Sequence, residues 1–128
     1  MTARQKALLI AEIAKGKKAE DIVILDMRKL SNITDFFIIV TASSKVRAQT
    51  ITNSIEECLE KAKEPLAGIE GYKESGWIVI DAYNVVTHIF SGELRSFYNL
   101  ERLWSDAPRV RLCRLEKKKT SKKTSGKK

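Results

Sequence analysis

Ile22-Val-Ile-Leu25 and Asp35-Phe-Phe-Ile-Ile-Val-Thr41 are the two apolar runs that decide the fold of this chain. Both runs are continuous rather than alternating, which is typical of strands buried on both faces of a sheet. Residues 26–34 lie between the two runs and are more polar, so we expect them to form the loop that connects the two strands. Two such strands in succession predict a central mixed β-sheet covered by helices.

Helical patterns flank this strand pair. Residues 3–15 place alanine and leucine on one face and end before Gly16, a plausible C-terminal stop. After the second strand, Ser43-Ser44 can cap a longer helix that runs toward Pro65. The apolar stripe predicted for this second helix consists of Val46, Ile51, Ile55, Cys58, Leu59 and Ala62.

A β-hairpin is predicted farther along the chain. Residues 65–76 look like a loop with room for a short edge strand. The runs Trp77 to Tyr83 and Val85 to Phe90 are rich in β-branched residues, and Asn84 between them marks a tight turn.

The segment after the hairpin is less clearly patterned. Residues 93–98 predict a short helix, and Asp106-Ala-Pro108 interrupts the chain. Residues 110–115 alternate apolar and basic side chains, which is compatible with a last edge strand or with an ordered arm. The predicted order is therefore α-β-β-α-β-β-α, a single-domain α/β sandwich whose mixed sheet has about four or five strands.

Charge divides the chain into two parts. The formal net charge is +8 over 128 residues, and residues 116–128 hold seven lysines and one glutamate. This leaves +2 for residues 1–115, which we take as the folded domain, with 116–128 as a disordered lysine-rich tail. The tail could attract rRNA phosphates nonspecifically or simply keep the chain soluble.

The composition also limits the classes of protein. No apolar run approaches the ~20 residues that a membrane helix needs, and the N-terminus lacks the apolar core of a signal peptide. Cys58 and Cys113 stand far apart without a CxxC pattern, so we expect two free thiols in a reducing cytoplasm. With a single histidine, His88, a zinc site is poorly supported.

Catalytic patterns are weak. The chain has neither a GxGxxG nor a GxxxxGKS loop. Asp26, Asp35 and Asp81 stand at predicted strand ends, but magnesium-dependent nucleotidyl transfer needs closely paired carboxylates and a phosphate-binding Gly-Ser turn, which the sequence does not show. No serine or cysteine elbow accompanies His88, so we expect a protein that is not an enzyme and needs no cofactor or metal.

Aromatic residues concentrate in one part of the chain, where both tryptophans and two of the three tyrosines fall within residues 77–104. Tryptophan, tyrosine and arginine are the side chains that most often anchor protein interfaces. We expect Phe90 and Phe97 in the core, and Trp77 and Tyr98 at the surface. His88, which strand alternation places on the face of Val86 and Phe90, could be a satisfied half-buried histidine or a hydrogen-bonding member of a docking face.

These residues resemble the Iojap family, also called the ribosomal silencing factors. The similarity covers about residues 4–110, and its combined W-x3-D, V-x-H and R-x2-Y-x-L-E-x-L-W patterns are specific. It is carried by Asp21-Ile-Val-Ile-Leu-Asp26, Ser31-Asn-Ile-Thr-Asp-Phe-Phe37, Gly71-Tyr72, Trp77-Ile-Val-Ile-Asp81, Val85-Val86, His88 and Arg95-Ser-Phe-Tyr98-Asn-Leu100-Glu101-Arg-Leu103-Trp104.

The resemblance implies a nucleotidyltransferase-like fold without catalytic function. It implies binding to large-subunit ribosomal protein fourteen at the intersubunit face, which would block joining of the small subunit and repress translation during nutrient shortage. It further implies a role in late large-subunit assembly and a homodimer off the ribosome. The docking residues it implies are Trp77, Asp81, His88, Arg95 and Tyr98.

One departure from the family pattern lies at Ala82-Tyr83, where relatives often have a glycine or leucine with a second acid nearby. Two alternatives to the docking function stay open from the sequence. One is a residual nucleotidyltransferase, and the other is an RNA-binding module that acts through the basic tail.

Overall fold

The computed structural model describes residues 1–30, 32, 34–73, 76–91 and 108–110, and in these ranges the chain forms two helices and six strands. The elements are α1 (Ala3–Gly16), β1 (Glu20–Asp26), β2 (Phe36–Ala42), α2 (Lys45–Lys61), β3 (Gly68–Glu70), β4 (Trp77–Asp81), β5 (Val85–Ser91) and β6 (Arg109–Val110).

All six strands form one mixed sheet in the order β3-β4-β5-β2-β1-β6. Only the central pair, β2 and β5, is parallel, and every other pairing is antiparallel. Five of the seven residues of β2 are buried, as its continuous apolar run predicts. In β1 only Ile24 and Leu25 are buried, so the prediction of burial on both faces is wrong for the first half of that strand.

The predicted mixed α/β architecture is confirmed, but the sheet has six strands rather than four or five. The additional edge strands, β3 and β6, have three and two residues. The short edge strand foreseen within residues 65–76 is β3. The helix predicted over residues 93–98 and most of the segment 110–115 lie outside the described residues.

Helix α1 begins with a capping box. The Thr2 hydroxyl accepts a hydrogen bond from the Gln5 backbone N–H, and the Gln5 side chain accepts one from the Thr2 N–H. Its buried face carries alanines 7, 11 and 14 together with Ile10. Small side chains let the helix axis approach the sheet closely, and this helix ends at Gly16, as predicted.

Helix α2 begins after Ser44, whose hydroxyl accepts from the Arg47 N–H. The predicted stripe is wrong at Val46, which is 71% exposed, and at Ala62, which is exposed and follows the last helical residue. Val46 precedes the buried Ala48 by two residues, about 200° around a helix, so it faces away from the sheet. Cys58, predicted in the core, is half-buried at the edge of the stripe.

The two faces of the sheet are packed differently. Both helices cover one face, which we call the helix-covered face, and its buried residues include Ile24, Ile38, Val40, Ile78, Ile80, Val85 and Ile89. The opposite face, which we call the aromatic face, carries Leu25, Phe37, Ile39, Trp77, His88 and Phe90.

The hairpin between β4 and β5 is tighter than predicted. β4 ends at Asp81 rather than at Tyr83, and the Ala82 N–H donates to the Val85 carbonyl oxygen at 2.9 Å. Tyr83 and Asn84 therefore form a two-residue turn, in which Tyr83 takes a φ of 69°. Two-residue hairpin turns that match the twist of a sheet need a positive φ at their first position, which is why glycine is favoured there.

Candidate functional site

Strand register brings three of the predicted docking residues onto the aromatic face. Trp77 lies opposite Phe90, Val79 opposite His88, and Asp81 opposite Val86. Since side chains alternate along a strand and directly paired residues share a face, Trp77, Asp81 and His88 point to the same side. The other two, Arg95 and Tyr98, lie outside the described residues, as do Phe97 and Trp104.

The centre of the aromatic face is a cluster of four rings, those of Phe37, Trp77, His88 and Phe90. The indole of Trp77 stacks on Phe90 with 5.2 Å between centroids, and it tilts against His88 at 5.9 Å. The edge of Phe37 meets His88 at 5.0 Å. Phe90 is fully buried, as expected, whereas Trp77 is half-buried. The cluster thus holds Trp77 at the border between core and surface.

A hydrogen bond fixes the tryptophan further. Trp77 Nε1 donates to His88 Nδ1 at 3.1 Å. Because an indole N–H can only donate, Nδ1 must be unprotonated, and the neutral imidazole carries its proton on Nε2. Burial lowers the pKa of His88 to about 4, since the charged imidazolium is poorly solvated there. At neutral pH His88 is therefore an uncharged acceptor for Trp77.

His88 is more buried in the structure than either interpretation of the sequence predicts. It is 8% exposed, so it is buried rather than half-buried. Its Nε2 finds no hydrogen-bond partner in the part of the chain that the structure describes, so it is not fully satisfied either. Its visible role is to orient Trp77, and a direct contact with a partner stays a prediction.

Asp81 lies two residues before the tip of the hairpin. One carboxylate oxygen accepts the backbone N–H of Tyr83 at 2.9 Å. A carboxylate accepts several hydrogen bonds, so this contact leaves capacity for a cation from outside. Asp81 is half-buried on the aromatic face, about 13 Å from Trp77 along the strand at 3.3 Å per residue.

A buried lysine, which sequence reasoning missed, holds this turn from behind. Lys6 of α1 is 3% exposed. Its Nζ donates to the Ala82 carbonyl oxygen at 3.0 Å and to Asn84 Oδ1 at 2.9 Å, and it pairs with Glu64 at 3.1 Å. The available signal was its position four residues before Ile10, on the apolar face of α1.

The strand-end carboxylates show no arrangement for metal chemistry. Asp26 makes two hydrogen bonds with the Arg28 guanidinium, at 2.9 and 2.6 Å. This bonding holds the pKa of Asp26 below its usual value. The pair lines a cavity together with Lys29 and Pro108. Over the described ranges, no group of three or more His, Cys, Asp or Glu side chains could hold a metal ion.

Neither of the two described helices is long and apolar enough to cross a membrane.

Comparison with known proteins yields a family match over residues 1–128, to the family described as "Ribosomal silencing factor during starvation". A ribosomal silencing factor of Halalkalibacterium halodurans is 36% identical over 112 residues, covering 88% of this chain and 96% of the relative. The factor of Bacillus subtilis is 38% identical over 106 residues, covering 81% and 90%. The chloroplastic Iojap protein of Zea mays is 36% identical, over 83% of this chain and 46% of its own length.

Two solved structures have the same fold. A crystal structure of a Chromobacterium violaceum protein superposes with a TM-score of 0.79 at 30% identity, covering 82% of this chain and 88% of that one. A crystal structure from Bacillus halodurans gives 0.73 at 34% identity, covering 84% and 98%.

Proposed function

Because this chain belongs to the ribosomal silencing factor family, we propose that it binds the large ribosomal subunit with its aromatic face. The observation that carries the proposal is the fixed orientation of Trp77, which stacks on Phe90 and donates to His88. An aromatic side chain that is already ordered loses little entropy on binding, so it is suited to anchor an interface.

The proposed partner is large-subunit ribosomal protein fourteen, at the face where the two subunits meet. A protein bound there blocks the small subunit by occupying its place and needs no chemical step. The same binding to a free large subunit gives the chain access to late assembly intermediates. Its working location is then the compartment that holds these ribosomes, and off the ribosome we propose a homodimer.

The docking residues have different roles in this proposal. Trp77 supplies buried aromatic area, and Asp81 pairs with a basic group of the ribosomal protein, which favours the correct partner through charge complementarity. His88 is a positioning residue, because it is buried and acts through the indole of Trp77. Arg95 and Tyr98 remain proposed contacts on the basis of the family resemblance.

The test is an anti-association assay. Small and large subunits are mixed with increasing amounts of the protein, and intact ribosomes are separated from subunits on a sucrose gradient. We expect the chain to sediment with large subunits and to prevent their association. Trp77→Ala should weaken binding by about 2 kcal/mol, which is roughly 30-fold in Kd.

Val46→Ala is the matched control, because it removes an exposed apolar side chain from α2, on the other side of the sheet. It should bind large subunits as the unmodified chain does. Normal binding by a folded Trp77→Ala variant would exclude the aromatic face as the docking site. Calorimetric titration with magnesium and a nucleoside triphosphate tests the enzymatic alternative, for which we expect no binding heat.

A further inference from the structure

Tyr83 is an exposed aromatic residue at the tip of the β4–β5 hairpin. The residue is 56% exposed, as is Met1, and among the exposed large hydrophobic residues described Val46 alone is more exposed, at 71%. Apolar residues that occur singly at a surface are common and need no explanation. The backbone conformation of Tyr83, in contrast, does need an explanation.

Tyr83 has a φ of 69°, in the left-handed region. A Cβ atom disfavours this conformation, and for a bulky residue it is an outlier. Neither glycine nor asparagine, which tolerate this region best, occupies the position. The chain therefore holds a tyrosine where glycine or asparagine would fold with less strain.

Hydrogen bonds fix the turn on every side of this residue. Asp81 accepts the Tyr83 N–H, and Lys6 Nζ donates to the Ala82 carbonyl and to the Asn84 side chain. The Asn84 carbonyl in turn accepts the backbone N–H groups of residues 35 and 36, at 3.0 and 3.2 Å. Backbone strain persists where surrounding contacts determine the conformation in this way, and such positions concentrate at functional sites.

We propose that Tyr83 and Asp81 together receive one cationic side chain of the docking partner, a guanidinium fitting best. An Asp81 oxygen lies 2.9 Å from the Tyr83 backbone nitrogen, so the carboxylate lies beside the backbone that carries the exposed ring. A guanidinium can stack on an aromatic ring while it pairs with a carboxylate, which an ammonium does less well. This inference rests on the proposed function and adds a second contact, at the other end of β4 from Trp77.

The experiment measures binding of the full chain to purified large ribosomal subunits, together with thermal unfolding of each variant. We expect Tyr83→Gly to unfold at the same or a higher temperature, because it relieves the left-handed strain, and to bind at least 10-fold more weakly. Tyr83→Phe keeps the ring and should stay within about 2-fold. Since Asp81 and Tyr83 share one cation, Asp81→Asn should weaken binding less in the Tyr83→Gly background than alone.

The outcomes separate this inference from the proposed function. Binding within 2-fold for Tyr83→Gly, with loss for Trp77→Ala, would overturn the role of Tyr83 and leave the aromatic face as the docking site. Normal binding by both variants would overturn the proposed function itself. Additive losses for Asp81→Asn and Tyr83→Gly would overturn the shared cation, and a lower unfolding temperature for Tyr83→Gly would overturn the strain.

Discussion

At the scale of single residues, Thr87 has a hydroxyl with no hydrogen-bond partner among the described residues, although the residue is fully buried in β5. A buried hydroxyl that makes no hydrogen bond loses its water without compensation. We expect Thr87→Val, which keeps the shape, to raise the free energy of unfolding by about 1 kcal/mol. Urea denaturation measures the change.

Thr52→Val is the control for that experiment, because Thr52 is equally buried but its hydroxyl donates to the Ala48 carbonyl at 2.8 Å. Removing this satisfied hydroxyl should leave the stability unchanged or lower it. A Thr87→Val variant that is less stable than the unmodified chain would contradict the prediction.

His88 should make the stability depend on pH. Burial lowers its pKa from 6.5 to about 4, so between these values the unfolded chain binds a proton that the folded chain does not. The free energy of unfolding therefore falls as the pH drops through this window, by about 1.4 kcal/mol per unit at most, and the contribution of His88 is complete above pH 6.5. Urea denaturation between pH 7 and pH 4.5 tests this.

His88→Gln provides the comparison, since an amide oxygen can still accept from Trp77 and does not titrate. His88 is the only histidine in the chain, and the lowered pKa of Asp26 acts below 3.8, outside the window. The variant should lose most of the slope. An equal slope in both proteins would assign the pH dependence to other groups.

At the scale of elements, the sequence predicts those that carry a clear period. Both helices and the strands β1, β2, β4 and β5 are found where the apolar patterns indicate them. The sequence left β3 and β6 only as possible edge strands, because two or three residues cannot display an alternation, and these strands pair with an existing strand edge. Val46 was assigned to the wrong side of α2, because the apolar residues of a helix can be joined into more than one stripe.

The candidate site, too, could be predicted only in part from the sequence. Trp77, Asp81 and His88 could be named from residue type and resemblance, and strand alternation correctly placed His88 with Phe90. Their mutual contacts could not be predicted, because they depend on the register of β4 against β5. Lys6 was missed, since its partners are more than fifty residues away in the chain and only the packing of α1 brings them together.

Lys6 joins α1 to the hairpin turn and to the segment after α2, which predicts a large loss of stability when it is replaced. Lys6→Met removes a buried cation from Glu64 and two acceptors at once, so the free energy of unfolding should fall by about 3 kcal/mol. Lys61→Met is the matched control, because Lys61 pairs with Glu57 on the exposed surface of α2. The stability of the Lys61→Met variant should hardly change. Equal effects of the two substitutions would contradict the stabilising role of the buried Lys6 contacts.

At the scale of the whole molecule, the excess positive charge and the docking residues lie in different parts of the sequence. Residues 1–115 carry only +2 of the net +8. Attraction between the tail and rRNA phosphates falls steeply with salt, whereas contacts of a half-buried tryptophan do not. Salt dependence therefore separates the contributions of the two parts to binding.

We predict that a chain ending at Leu115 still binds large subunits at about 0.15 M salt, with a shallower dependence of binding on salt than the full chain. The physical reason is that each lysine–phosphate contact releases counterions and steepens that dependence. Co-sedimentation between about 0.05 and 0.2 M salt gives both slopes. A full-length variant with the seven tail lysines changed to glutamine controls for length and should behave like the shortened chain. If the shortened chain lost binding while full-length Trp77→Ala kept it, the lysine tail and not the aromatic face would be the part that holds the ribosome.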